Sequence, residues 1–152
     1  MKVYRNRNRG FTLVEILIVV IILGILAAIV IPQFTSASED ARKSSTTSLL
    51  QTVRSQVELY KLQHGDALPD ITSNWDALLK TSTYGTPAQT FGPYLQTEPR
   101  NPMNGSSTVA NDPGTDAAKV QGTAGFIYDY GTNGNGTGKV YATGKDYKLY
   151  VE

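Results

Sequence analysis

The chain has 152 residues, enough for one compact domain and an anchor but too few for two domains with separate cores. Its formal net charge is +1, yet beyond the basic residues Lys2, Arg5, Arg7 and Arg9 it holds 10 basic and 13 acidic residues. That acidic body argues against a nucleic-acid-binding surface, and the absence of cysteine excludes disulfides and thiolate metal sites.

The first predicted element is a membrane-spanning helix. From Phe11 to Ile31 the only polar residues are Thr12 and Glu15. As a helix, this segment rises about 31 Å, roughly the hydrocarbon thickness of a bilayer. The basic residues before it predict an N-terminus in the cytoplasm and a C-terminal part on the other side of the cytoplasmic membrane.

Three other interpretations of this segment stay open. A secretory signal could be cleaved at Ser36-Ala37-Ser38, although the apolar region of such signals normally has only about 7 to 15 residues. An uncleaved signal anchor fits both the length and the charges. A buried helix of a soluble protein would need other segments to cover its apolar surface, and this short chain offers none.

Glu15 is the residue that these three interpretations do not explain. A carboxylate inside a bilayer costs several kcal/mol on most scales, so an intramembrane acid is a functional candidate. No lysine or arginine lies between Phe11 and Pro32. Once the basic head is removed, the nearest cation is a new α-amino group in this chain or in a neighbouring one. Glu15 therefore points to processing and assembly together.

The helix is predicted to continue beyond the membrane, as one long element over residues 12–63. Pro32 has no amide hydrogen to donate, and together with Gly24 it predicts a kink. Apolar residues then follow at spacings of three and four, which gives residues 34–62 one apolar stripe. His64 begins the stop signal and is interpreted as an exposed capping residue rather than a catalytic one.

The remaining chain predicts an α+β domain. A short helix is expected near residues 74–80, because Ser73 and Asp76 have capping-box spacing. Residues 81–124 are rich in Thr, Ser, Gly, Pro and Asn, which predicts loop. Alternating apolar residues predict a three-stranded antiparallel sheet, covered by the helix stripe, whose strands lie within residues 126–130, 140–142 and 147–151.

The segment from Arg9-Gly10 through Phe11-Thr12-Leu13-Val14-Glu15 resembles the processing signal of type IV pilins and type II secretion pseudopilins. The resemblance implies that a prepilin peptidase cleaves between Gly10 and Phe11 and methylates the new amine, giving N-methylphenylalanine. It also implies that Glu15 neutralises the N-terminal amine of an adjacent subunit. The pilin-like organisation would be a leader at 1–10, a transmembrane and assembly helix at 11–31, and a periplasmic globular domain at 32–152.

Within this class, Leu59-Tyr60-Lys61-Leu62 and Gly92-Pro93-Tyr94-Leu95 resemble the major pseudopilin of type II secretion. Met103-Asn104-Gly105 departs from the Trp-Gly-Asn usual in that subfamily. The resemblance implies a homopolymeric periplasmic filament that drives protein export across the outer membrane. Its partners would be minor pseudopilins, the prepilin peptidase, a membrane platform protein and a cytoplasmic ATPase. A type IV pilus or DNA-uptake filament, and a monomeric membrane-tethered binding domain, are the alternatives.

The sequence predicts no enzyme and no cofactor. It contains no nucleophile motif, phosphate-binding loop or metal-ligand cluster, and Trp75 is interpreted as a core residue. Major pseudopilins often hold one calcium ion between C-terminal strands, and four residues here offer suitable oxygens: Asp129, Asn133, Asn135 and Asp146. Tight turns explain the same residue types, so no metal site is predicted.

Overall fold

The computed structural model describes residues 10–112 and 122–150, in two compact units that divide between Asp40 and Ala41. The basic leader residues before Gly10 and the end of the predicted last strand lie outside the described residues. The elements in chain order are α1 (Leu13–Gln63), α2 (Asp76–Leu79), β1 (Ser82–Tyr84), β2 (Gln89–Phe91), β3 (Val109–Asn111), β4 (Phe126–Tyr128) and β5 (Val140–Ala142).

The long helix predicted over residues 12–63 is confirmed, since α1 is a single helix of 51 residues. It is continuous across Pro32, and two hydroxyls donate to carbonyl oxygens nearby: Thr35 to Ile31 and Ser36 to Pro32, both at 3.1 Å. The kink at Gly24 and Pro32 stays a prediction. After Gln63 the backbone turns left-handed at Gly65, which is where helices commonly end.

The α+β class is confirmed, but the strand directions and one strand were predicted wrongly. In the three-stranded sheet, β4 is central, antiparallel to β5 and parallel to β3, so the sheet is mixed. The third strand is β3, from the segment predicted as loop. Within the described part of 147–151, the chain contributes only a bridge between Leu149 and Thr143. A parallel pair cannot be joined by a tight turn, and the sequence places 14 residues between β3 and β4.

A small hairpin is the second correction to the loop predicted for residues 81–124. Strands β1 and β2 pair antiparallel, with Ser82 opposite Phe91 and Tyr84 opposite Gln89. Tyr, Thr and Phe favour strands, and Gly85 supplies the left-handed backbone of the turn between them. These three-residue strands are too short to show an alternating pattern in the sequence.

The core of the second unit forms between α1 and the three-stranded sheet. Val53 and Val57 of the helix are fully buried, as are Phe126 and Tyr128 of β4. The sheet-covering stripe predicted for residues 34–62 therefore begins later, since the buried helix positions are Thr46, Leu50, Val53 and Val57. Burying each large apolar side chain contributes about 1.5 to 3 kcal/mol, so these positions hold helix and sheet together.

Trp75 belongs to this core, as predicted. Its indole nitrogen donates to the Ser107 carbonyl oxygen at 2.7 Å, and its ring meets Phe126 edge to face. The predicted capping box before α2 is wrong, because the Asp76 amide is bonded by the Asn74 side-chain oxygen, at 2.8 Å, rather than by Ser73. Trp75 itself occupies the capping position without a side-chain cap.

Asn101 is a fully buried polar residue that joins the turn after Pro99 to the sheet. Its amide nitrogen donates to the carbonyl oxygens of Gly125, at 2.6 Å, and Thr143, at 2.8 Å. Its side-chain oxygen accepts from the Met103 amide at 2.8 Å. All three bonds of this amide are made inside the protein, where water cannot replace them.

Replacing Asn101 with alanine is expected to lower the free energy of unfolding by about 2 to 4 kcal/mol, because it leaves buried backbone groups unpaired. Denaturant titration of the full chain in nonionic detergent measures the loss. The control is Asn135→Ala, the same chemical change at an exposed position of the β4–β5 turn, which should cost less than about 0.5 kcal/mol. Equal losses for the two variants would contradict this role of Asn101.

Candidate processing and assembly site

The backbone around the predicted cleavage point is exposed and not helical. Gly10 and Phe11 precede α1, and Phe11 is 82% exposed. A Cβ atom placed on Gly10 would meet no atom within 4 Å, so the local structure does not require glycine there. Exposed irregular backbone is where peptidases act, so the bond between Gly10 and Phe11 is sterically available.

The first part of α1 is apolar on every side. Every large apolar side chain from Phe11 to Ile31 is at least 41% exposed, and the helix is long and apolar enough to cross a membrane. A helix that is apolar all round needs lipid or other helices around it. The interpretation as a buried helix of a soluble protein is therefore wrong, because none of its most apolar window is buried within the chain.

Glu15 is bonded to the start of its own helix. One carboxylate oxygen, Oε2, accepts from the Thr12 amide and from the Thr12 hydroxyl, both at 2.8 Å. The Thr12 hydroxyl in turn accepts from the Glu15 amide at 3.3 Å. This reciprocal arrangement is a capping box, and the Thr-x-x-Glu spacing is its sequence signal. Both donors are neutral, so among the residues that the structure describes the Glu15 carboxylate has hydrogen-bond donors but no cation.

His64 is buried, so its interpretation as an exposed capping residue is wrong. Only 4% of it is exposed, and its ring stacks on that of Tyr60 with 3.9 Å between centroids. Nδ1 lies 2.9 Å from the Tyr60 carbonyl oxygen and Nε2 lies 2.8 Å from the Ser82 hydroxyl. The carbonyl can only accept, so Nδ1 carries the hydrogen and Nε2 accepts from Ser82 in the neutral ring. His64 thus ties the end of α1 to β1.

Three tyrosines in this part of the protein have pKa values above the ordinary range. Burial raises the pKa of Tyr128, and the neighbouring Tyr130 raises it further. Burial also raises the pKa of Tyr60 and of Tyr94. These phenols stay protonated at neutral pH, which suits packing in the core rather than proton transfer.

The four candidate calcium ligands differ in their surroundings. Asp129 is 8% exposed, whereas Asn133, Asn135 and Asp146 are exposed, and Asp146 accepts from the Lys148 amide within its own turn. Within residues 10–112 and 122–150, no three His, Cys, Asp or Glu side chains are grouped as metal ligands. One atom would favour a cation, because Oδ1 of Asp129 is buried without a hydrogen-bond partner. A single oxygen is far from the six to eight that calcium takes.

Comparison with known proteins covers almost the whole chain. Residues 5–31 match the prokaryotic N-terminal methylation motif, and residues 33–143 match the family of type II secretion system (T2SS) protein G. No solved structure matches.

Several curated relatives carry the name type II secretion system core protein G. The one from Pseudomonas aeruginosa is 38% identical over 79 residues, which is 52% of this chain and 55% of the relative. The one from Dickeya chrysanthemi is 38% identical over 78 residues, 51% of this chain and 50% of the relative. The one from Klebsiella pneumoniae is 32% identical over 111 residues, 72% of this chain and 78% of the relative. The chain therefore spans about half the length of the first two.

Proposed function

Because the chain belongs to the type II secretion system protein G family, we propose that it is the repeating subunit of a type II secretion pseudopilus. The observation that carries the proposal is the helix from Leu13 to Ile31, apolar on every side and exposed, with a single acid near its start. Such a surface is covered by lipid while the chain is stored in a membrane and by like helices when the chain polymerises.

Processing comes first in this proposal. The prepilin peptidase cuts between Gly10 and Phe11 and methylates the new N-terminus, which the match to the methylation motif supports. The cut removes the basic leader but keeps the apolar helix in the mature protein. It also creates an α-amino group four residues before Glu15. Each mature chain then carries one cation and one anion at the same end, so neighbouring chains can pair amine with carboxylate.

The proposed topology places the leader in the cytoplasm, one span in the inner membrane and the globular domain in the periplasm. The basic residues before Gly10 support this orientation. Minor pseudopilins, a membrane platform protein and a cytoplasmic ATPase complete the assembly machinery. The energy for extracting subunits from the bilayer comes from that ATPase, because the sequence has no phosphate-binding loop of its own.

Growth of the filament is the proposed mechanism of export. Adding subunits at the inner membrane lengthens the filament into the periplasm, where it pushes folded proteins towards the outer-membrane channel. The chain acts in this scheme by polymerising, and no catalytic role is assigned to it. A type IV pilus or DNA-uptake filament would use the same cleaved leader, apolar helix and Glu15. The match to protein G over residues 33–143 favours secretion instead.

Deleting the gene is expected to stop export, so that proteins normally found outside the cell accumulate in the periplasm. Mass spectrometry of the medium and of the periplasmic fraction measures the shift, and a plasmid copy of the gene should reverse it. Normal export accompanied by loss of surface pili or of DNA uptake would favour the alternative filament. Neighbouring genes separate the two further, since a secretin gene indicates secretion and a retraction ATPase gene indicates pili.

A further inference from the structure

The turn between β4 and β5, residues 129–138, is closed by hydrogen bonds within the protein. The backbone ladder extends into it, with the Asp129 amide donating to Lys139 and the Gly138 amide donating back to Asp129, at 3.0 and 2.9 Å. Beside this pair, Oδ2 of Asp129 accepts from both the amide and the hydroxyl of Thr137, at 3.1 and 2.5 Å. We call these last two bonds the Asp129–Thr137 latch.

Strand β3 holds the same turn from its other side. Asn111, the last residue of β3, donates from its side-chain amide to the Gly131 carbonyl oxygen at 3.0 Å. Its side-chain oxygen accepts from the Tyr130 amide at 3.2 Å. The asparagine side chain thereby continues the pairing of β3 with β4 by one more step. Both ends of the turn are therefore held by hydrogen bonds from within the chain: Asn111 bonds residues 130 and 131, and Thr137 bonds Asp129.

The two sides of the turn, residues 129–131 and 135–136, are in direct backbone contact. A Cβ atom on Gly131 would lie 2.5 Å from the Gly136 nitrogen, and one on Gly136 would collide with the Asp129 carbonyl oxygen. The Gly136 amide also donates across the turn to Tyr130 at 2.8 Å. Calcium needs six to eight oxygens at about 2.3 to 2.6 Å. The two sides of the turn lie too close together to leave space for such an ion between them.

Calcium could do the same work in a turn of this kind by neutralising a buried carboxylate and drawing loop oxygens together. Here protein groups replace both effects. Thr137 donates to one oxygen of the Asp129 carboxylate, and backbone amides of the turn donate to carbonyl oxygens of the turn. The amide and the hydroxyl of Thr137 together satisfy one oxygen of the Asp129 carboxylate, which lessens the need for a cation at that oxygen.

We propose that the Asp129–Thr137 latch takes the place of a calcium ion in this chain, so that the domain folds and remains stable without a divalent cation. The inference concerns the folded domain and does not depend on the secretion role. It departs from the calcium site that resemblance to major pseudopilins implies. The partnerless Oδ1 of Asp129 is the atom on which a bound cation would have to act.

The first test is thermal unfolding of the full chain in nonionic detergent, followed by near-ultraviolet circular dichroism, with millimolar calcium chloride, magnesium chloride or a calcium chelator. A ligand that binds only the native state at 100 times its dissociation constant adds about 2.7 kcal/mol of stability, enough to raise Tm by several degrees. We expect the same Tm, within about 1 °C, in all three conditions. A rise of several degrees in calcium alone would overturn the proposal.

The second test removes half of the latch by Thr137→Val, which keeps the side-chain shape and deletes the hydroxyl. We expect Tm to fall by about 4 to 8 °C, by the same amount with calcium and with chelator. The control is Thr132→Val in the same turn. Both threonines are exposed, but the Thr132 hydroxyl makes no bond within the described residues, so the Tm of this variant should stay within about 1 °C. An unchanged Tm for Thr137→Val, or one that calcium restores, would also overturn the proposal.

Discussion

Replacing Glu15 with valine is expected to abolish filament formation while the chain still inserts into the membrane. Valine makes the span more apolar, so insertion is favoured. The change removes the only acid between Phe11 and Ile31, and with it the proposed partner for the amine of a neighbouring chain. Electron microscopy of sheared material measures filaments, and resistance to alkaline extraction measures insertion.

Glu15→Gln separates charge from hydrogen bonding in this experiment. Glutamine keeps an oxygen that can accept from the Thr12 amide and hydroxyl, so the start of α1 is preserved, but it carries no charge. We expect this variant to fail in assembly as the valine variant does. A Thr35→Val variant, which removes another polar group from the same helix, should assemble normally. Normal filaments from Glu15→Gln would show that charge pairing is not the cause.

Replacing Gly10 with isoleucine is expected to leave the precursor uncut and unmethylated. The structure offers open space around Gly10, so the branched side chain should not disturb folding, and its effect falls on recognition by the peptidase. Intact-mass spectrometry of the membrane-extracted chain should find residues 1–10 still attached. The uncut chain should also fail to polymerise, because the amine lies ten residues away from its proposed position.

The control for this variant is Leu13→Ile, an apolar exchange at the first residue of α1. It should be cut and methylated as the natural chain is, because it leaves both residues of the cleaved bond unchanged. A mature chain beginning at Phe11 from the Gly10→Ile variant would contradict the processing proposal. Native protein that retains its first ten residues would contradict it more directly.

The long helix and the cleavage signal could be predicted from the sequence because both are local. α1 carries a continuous apolar run followed by regular spacing, and its end is marked by glycine. The small strands could not be predicted in the same way. Strand β3 has three residues, Val109–Asn111, and pairs with β4 across the sequence, so contacts with β4 decide its conformation rather than its own pattern.

The burial of His64 follows from one of these unpredicted elements. Its Nε2 partner is Ser82, in a hairpin that the sequence predicts as loop, so nothing local indicates that the ring is covered. The capping box of Thr12 and Glu15 is different, since its spacing is visible in the sequence. The cost of a charge in the bilayer predicts a partner for Glu15 from outside the chain, whereas the structure also gives it Thr12 of its own helix.

The two hydrogen bonds from Thr12 to Glu15 must be displaced or shared when a neighbouring chain binds this carboxylate in a filament. An incoming group has to compete with two neutral donors already in place at 2.8 Å. A full positive charge offers more than these donors do, and a neutral hydroxyl or amide does not. If chains pair as proposed, cleavage converts the nitrogen of Phe11 from a neutral peptide amide into a cationic amine, so only the processed chain offers a full positive charge at this position.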